Sequence, residues 1–350
     1  MGLLEVLGQI CPADQNAYQA CIERFNGIAK PLGSLGKLET MLAQVAAASG
    51  SAEIRVQKKC VLVFCADNGV VRQGVAQSDH TVTTAIGRSL VKGTASVSVM
   101  AKAAGADTFP VDVGMIDTVE GLPARKLFCG TGDISCGPAM TREQAERLVL
   151  TGMELVREKV EEGYGVIATG EAGIGNTTTS SAIASVLLDL PVEAVTGRGS
   201  GLSDLGLIRK QEVIRNSITV NCPRAEDPLD VLAKVGGADI AAMTGAFLGA
   251  ALYRVPAVID GLISSVAALC AVRLCPAVRG YLLPSHLTAE PAGLKIMAEL
   301  GLEPMLHGGM RLGEGTGAVA LFPMLDLAAA VYAHAATFED IRVEAYQKQS

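Results

Sequence analysis

The stretch YGVIATGEAGIGNTTTSSAI, Tyr164 to Ile183, decides how the chain is read. Val166-Ile167-Ala168 is a short apolar run that suits a buried strand. Gly170, Gly173 and Gly175 follow, then Asn176 and an unbroken row of hydroxyls from Thr177 to Ser181. From Ala182 to Leu188 the pattern reads as a helix. A strand, a glycine turn and a helix start make an anion site: the backbone can approach the ligand, N–H groups point outward, and the helix dipole favours negative charge. The same letters also describe an ordinary strand-to-helix turn whose glycines serve backbone geometry alone. Two named loops do not fit. No Lys follows the last glycine, as a Walker A loop requires, and G-x-x-G-x-G is not the dinucleotide spacing G-x-G-x-x-G. A mononucleotide phosphate fits better.

Outward from this stretch, strands and helices alternate. Cys60–Cys65 (CVLVFC), Phe109–Val113, Pro256–Ile259 and Gly280–Leu283 read as further strands. Helices are expected over 14–29, 38–48, 82–103, 141–162, 203–221 and 318–335, with another from Asp227-Pro228 that is interrupted at Gly236-Gly237. Thr141 and Gln144 form a capping box. Residues 115–140 show no clear periodicity. This order predicts an α/β fold, a Rossmann-like, mostly parallel sheet covered by helices on both faces. Ligands of such sheets bind beyond the carboxyl ends of the strands, where Asp67-Asn68-Gly69 and Asp260-Gly261 stand.

Composition narrows the class. The chain has 350 residues, 49% hydrophobic and only 4% aromatic, long enough for one large domain and a smaller appendage. A net charge of −7 without a basic block argues against nucleic acid or an anionic membrane surface as partner. The nine cysteines are scattered with no C-x-x-C pair, which suits reduced thiols in a cytoplasmic protein. The N-terminus has no positive n-region and is interrupted by Glu5, unlike a signal peptide. The apolar tracts 240–253 and 262–272 are too short to span a bilayer. His80, His286, His307 and His334 show no ligand spacing, so no metal is expected, and no G-x-S-x-G elbow appears.

Two local features stay open on the residues alone. Glu314 sits between Gly313 and Gly315 just before an apolar helix; it reads either as dipole stabilisation or as a general base held by a tight turn. Lys30 and Lys37 lie in a glycine-containing break that also reads as a plain inter-helix loop.

Taken together and in order, KPLGSLGKLE (30–39), ADNGV (66–70), GEAGIGNTT (170–178), GRGSGL (197–202), EDPLDVLAKVGGADI (226–240), DGLISS (260–265) and MRLGEGTGA (310–318) resemble the nicotinate-nucleotide–dimethylbenzimidazole phosphoribosyltransferase family, which prepares the lower ligand of cobalamin. The resemblance covers nearly the whole chain. It implies transfer of ribose 5-phosphate from nicotinate mononucleotide to an aromatic base, with release of nicotinate and no cofactor. It also implies a large α/β nucleotide-binding domain (59–289) beside a small, mainly helical domain from both chain ends (1–58 with 290–350), and a dimer with sites near the subunit interface. By resemblance Glu314 is the catalytic base and Glu171 lies near the ribose. Gly173, Ile174, Gly175, Asn176, Thr177 and Thr178 cradle the phosphate, with Gly201, Lys210, Asp260 and Thr288 also on the nucleotide. Ser78, His80, Ile86, Met310 and Leu312 face the acceptor.

Departures gather at the acceptor end. Benzimidazole-using relatives carry a Ser and, eight residues on, a Gln; this chain has Ser78 and Ile86, and Asn68 replaces a His. Leu306-His307-Gly308 and Ala238-Asp239 also differ from the usual pattern. Losing the Gln removes a partner for a ring nitrogen. One branch of the family uses phenol or p-cresol and pairs two related subunits, so the alternative acceptor is phenolic and the alternative assembly a heterodimer. Outside the family, the competing readings are a nicotinamide-dependent oxidoreductase, with Asp189 or Glu193 on the ribose, and a non-catalytic nucleotide-binding subunit.

Overall fold

The computed structural model describes residues 2–347. Its centre is a five-stranded sheet of β1 (Lys59–Ala66), β2 (Ala106–Gly114), β3 (Val166–Ala172), β4 (Ala257–Ile259) and β5 (Leu282–Pro284), ordered β2-β1-β3-β4-β5. Every pairing is parallel. The order reverses between β1 and β3, and a crevice at such a reversal is where open α/β sheets bind ligands.

Both faces are covered. Side chains alternate along β1, so Cys60, Leu62, Phe64 and Ala66 enter one core, while Val61, Val63 and Cys65 enter the other. The first core is closed chiefly by the helices Arg142–Glu161 and Ala238–Leu252. The second is closed by Gln15–Gly27, Lys37–Ser49, Ser96–Ala103 and Thr316–His334. The chain ends meet in that layer: Ala29 N–H donates to the Ala336 carbonyl (2.9 Å), and the Phe25 and Tyr332 rings lie 5.1 Å apart. These terminal helices share one core with Val61, Val63, Val166 and Ala168 of the sheet.

The expected elements appear, with differences of physical origin. The helix expected over 82–103 is two, His80–Val91 and Ser96–Ala103, broken where Gly93 takes a positive φ of 69°. β3 runs on through Gly170 and Glu171, and the helix beyond it starts at Asn176, not Ala182, so the hydroxyl row is helical. Thr316–His334, longer than the apolar tracts 240–253 and 262–272, has the length and apolarity of a membrane span; half of it is buried against the protein and it contains Pro323. Its apolar surface is spent on the second core. Lys30 is taken up by buried Glu39 (2.8 Å), and Lys37 by Glu303 (2.6 Å) and the Pro304 carbonyl, so that break is a structural loop.

Candidate active site

A cleft of about 970 Å³ opens at the carboxyl edge of β3 and β4. One wall is the turn Gly173-Ile174-Gly175 with Asn176 and Thr177 at the start of the following helix. The turn is clamped from behind, because the Ile174 N–H donates to Thr83 Oγ1 (3.2 Å) and its carbonyl accepts from Asn68 Nδ2 (3.4 Å). The Ile174 amide is therefore committed to the protein. Thr177 is held from behind by Lys210, whose Nζ donates to Thr177 Oγ1 (2.9 Å) and to the Gly197 carbonyl (3.2 Å) and whose side chain is fully buried. Burial pulls the Lys210 ammonium down to about 8, against the opposing pull of Glu290.

The floor holds buried acids. Asn176 Nδ2 donates both to Glu171 Oε2 and to Asp239 Oδ2, tying two carboxyls through one amide. Asp239 is fully buried and Glu171 is 9% exposed. Burial first, then the neighbouring Asp239, pushes Glu171 up to about 8; burial raises Asp239 to about 6. Glu171 therefore keeps its proton to a higher pH than an exposed glutamate does.

The opposite wall is the turn Gly313-Glu314-Gly315. All three residues have positive φ (90°, 63° and 98°), and for the glutamate this left-handed geometry costs about 1–3 kcal/mol. The turn presses on β3 at Gly170, where a Cβ would stand 2.1 Å from the Glu314 carbonyl oxygen. Position 170 is glycine because another backbone occupies the side-chain space. Glu314 is half-buried in the cleft wall, and its Oε2 accepts from the Val97 N–H (3.2 Å) at the start of the Ser96–Ala103 helix. The Glu171 carboxyl lies against the same turn, since a Cβ on Gly313 would stand 2.3 Å from Glu171 Oε1.

A family model described as "Phosphoribosyltransferase" matches residues 10–343. The chain belongs to this phosphoribosyltransferase family. It is 46% identical over 345 residues to the nicotinate-nucleotide–dimethylbenzimidazole phosphoribosyltransferase of Ruminiclostridium cellulolyticum, covering 98% of each chain. It is 46% identical over 348 residues to the enzyme of the same name from Acetivibrio thermocellus, covering 99% of this chain and 98% of that one. Its structure is similar to that of CobT from Thermus thermophilus, with a TM-score of 0.89, 36% identity, and 94% of this chain and 99% of that chain covered.

Of the residues expected at a phosphoribosyltransferase site, Glu171, Gly173, Ile174, Gly175, Asn176, Thr177, Asp260, Thr288, Ile86, Leu312 and Glu314 line the one cleft. Others stand elsewhere. Lys210 lies behind Thr177, and Thr178 is fully buried within its helix. Gly201 adjoins the lining residues Gly199 and Ser200 and accepts from Gln77 Nε2. Met310 adjoins the lining residue Arg311. Ser78 sits half-buried in the loop before the His80–Val91 helix, outside the lining. His80 faces a separate cavity of about 610 Å³ with Asp67, Arg72 and Cys129. Sequence reasoning passed over Arg198, Arg311, Ser264, His286 and Glu290, all of which line the cleft. Arg198 and Arg311 lie inside motifs already singled out, and a search for cations beside the glycine turns would have found them. His286 has no local signal; burial lowers its imidazole and raises the carboxyl of Asp260 beside it.

Proposed function

We propose that the protein transfers ribose 5-phosphate from nicotinate mononucleotide to an aromatic base of the 5,6-dimethylbenzimidazole type. The products are the α-ribotide and nicotinate, on the route to a cobamide lower ligand. One observation carries this reading: a glycine turn with a helix N-terminus and a half-buried glutamate in a strained turn open on the same cleft from opposite walls. The names of relatives at 46% identity over essentially full length point the same way.

In the mechanism, a ring nitrogen of the acceptor attacks C1′ of the ribose on the face opposite nicotinate. The C1′–N bond breaks, and its electron pair neutralises the departing pyridinium. The proton on the acceptor's other ring nitrogen passes to Glu314. The leaving group already carries positive charge, so the protein's work is mainly alignment, which can supply up to roughly 7–11 kcal/mol. Thr177, Arg198 and Ser200 suit the phosphate end. The Lys210 ammonium occupies one lone pair of the Thr177 hydroxyl and leaves its proton free for a phosphate oxygen. Protonated Glu171 offers a hydrogen-bond donor to the sugar. Ile86, Leu312 and Glu314 suit the acceptor end.

We further propose a cytoplasmic enzyme that acts as a dimer, with the small domain built from both chain ends; light scattering coupled to size exclusion tests the assembly. The reaction is tested by incubating the protein with nicotinate mononucleotide and dimethylbenzimidazole and separating the α-ribotide by chromatography. Glu314→Gln should lower the rate by about 10²–10⁴-fold, the range for a lost general base. Wild-type turnover in Glu314→Gln would remove that assignment. A panel including adenine, phenol and p-cresol ranks the acceptors.

A further inference from the structure

We propose that Asp260 is a positioning residue that fixes the turn carrying Glu314, its carboxylate serving the protein backbone and not the bound nucleotide; the claim rests on the transferase reading above. The helix Thr316–His334 begins at Gly315, which offers no side chain to cap it. Nothing larger than glycine fits there, because φ is 98° and a Cβ would lie 2.6 Å from Val61 Cγ1. The cap comes instead from the end of β4. Asp260 Oδ1 accepts from the N–H groups of Gly317 (2.7 Å) and Ala318 (3.1 Å), and Oδ2 accepts from that of Gly315 (3.2 Å). Three of roughly four acceptor positions on the carboxylate are thereby used.

The Gly315 amide belongs to the peptide that joins it to Glu314. Asp260 holds that peptide by its N–H, while the carbonyl packs on Gly170. Asp260 is itself held, since its backbone N–H donates to Ser264 Oγ (2.9 Å). The His286 ring completes the lock. A Cβ on Gly317 would meet its Nδ1 at 1.9 Å and Asp260 Oδ1 at 2.9 Å, so ring and carboxylate pack directly against the helix start. The backbone of the proposed base is thus pinned from β3 on one side and β4 on the other.

The test uses Asp260→Asn in the full-length protein. The amide keeps one acceptor oxygen but turns an NH2 toward a backbone N–H. The turnover number should fall at least about 10-fold while KM for nicotinate mononucleotide stays within about 3-fold, the pattern of misplacement without lost binding. In a Glu314→Gln background the same change should cost less than about 3-fold, because both act through one group. Hydrogen exchange of the 313–318 segment should accelerate at least about 10-fold with the rest of the protein unchanged. That readout judges the positioning claim even if the transferase reading fails. Gly317→Ala, which displaces His286, provides a second route to the same kinetic pattern should Asp260→Asn fold poorly. A selective rise in KM, additivity with Glu314→Gln, or unchanged exchange at 313–318 would overturn the proposal.

Discussion

Gly170→Ala separates alignment from stability. The added Cβ would sit 2.1 Å from the Glu314 carbonyl oxygen, 2.5 Å from its carbon and 2.8 Å from the Gly315 nitrogen. All three are backbone atoms, so no side-chain rotation relieves the clash. Cβ contacts essentially never fall below 3.0 Å, so the Glu314 turn must retreat from β3 by at least about 0.9 Å. Overpacking of this kind costs about 1–3 kcal/mol. Unfolding entropy near 2.1 cal/mol/K per residue makes each kcal/mol worth only about 1.4 °C in a chain of 350 residues. Tm should therefore drop by about 1–4 °C, a loss that leaves the protein folded at assay temperature. A displacement of about 1 Å of a reacting group can cost 10²-fold in rate. The paired measurement is differential scanning fluorimetry and initial-rate kinetics of nicotinate release. A Tm drop with near wild-type turnover would refute the argument that Gly170 sets the position of the proposed base.

Other outcomes follow from the buried charges. Glu171 has a folded pKa of about 8, above the carboxylate range of the unfolded chain, so the native state binds the extra proton between the two values. Stability from this group is full below about pH 4.5 and is lost as pH rises through about 8. Glu171→Gln should thus gain Tm relative to wild type as pH goes from 5 to about 8.5, and a constant difference across that window would contradict the assignment. Lys210→Met keeps an unbranched side chain one atom shorter and removes a charged hydrogen-bond donor to Thr177. KM for the nucleotide should rise about 10- to 100-fold, the worth of one charge-assisted bond; a lowered Tm with unchanged KM would reduce Lys210 to a structural role.

Periodicity and turn chemistry fix the local elements. The apolar run of β1, the Thr141–Gln144 capping box and the glycine breaks at 173–175 and 236–237 each depend on residues a few positions apart, and each is legible as letters. Alternation of strands and helices was enough for a parallel sheet with its site at the carboxyl edge. The motifs also marked most residues of the cleft, from Glu171 to Glu314. Which atoms those residues meet depends on packing between segments far apart in the chain. Glu314 reaches Gly170 across the whole of β4, β5 and their helices, and Asp260 reaches the helix beyond Glu314 across 55 residues or more. No local pattern states that Lys210 lies behind Thr177, that His80 faces another cavity, or that Glu171 and Asp239 share Asn176. Those contacts, and the protonation states they impose, arise only when burial strips water from the groups and leaves them to answer one another.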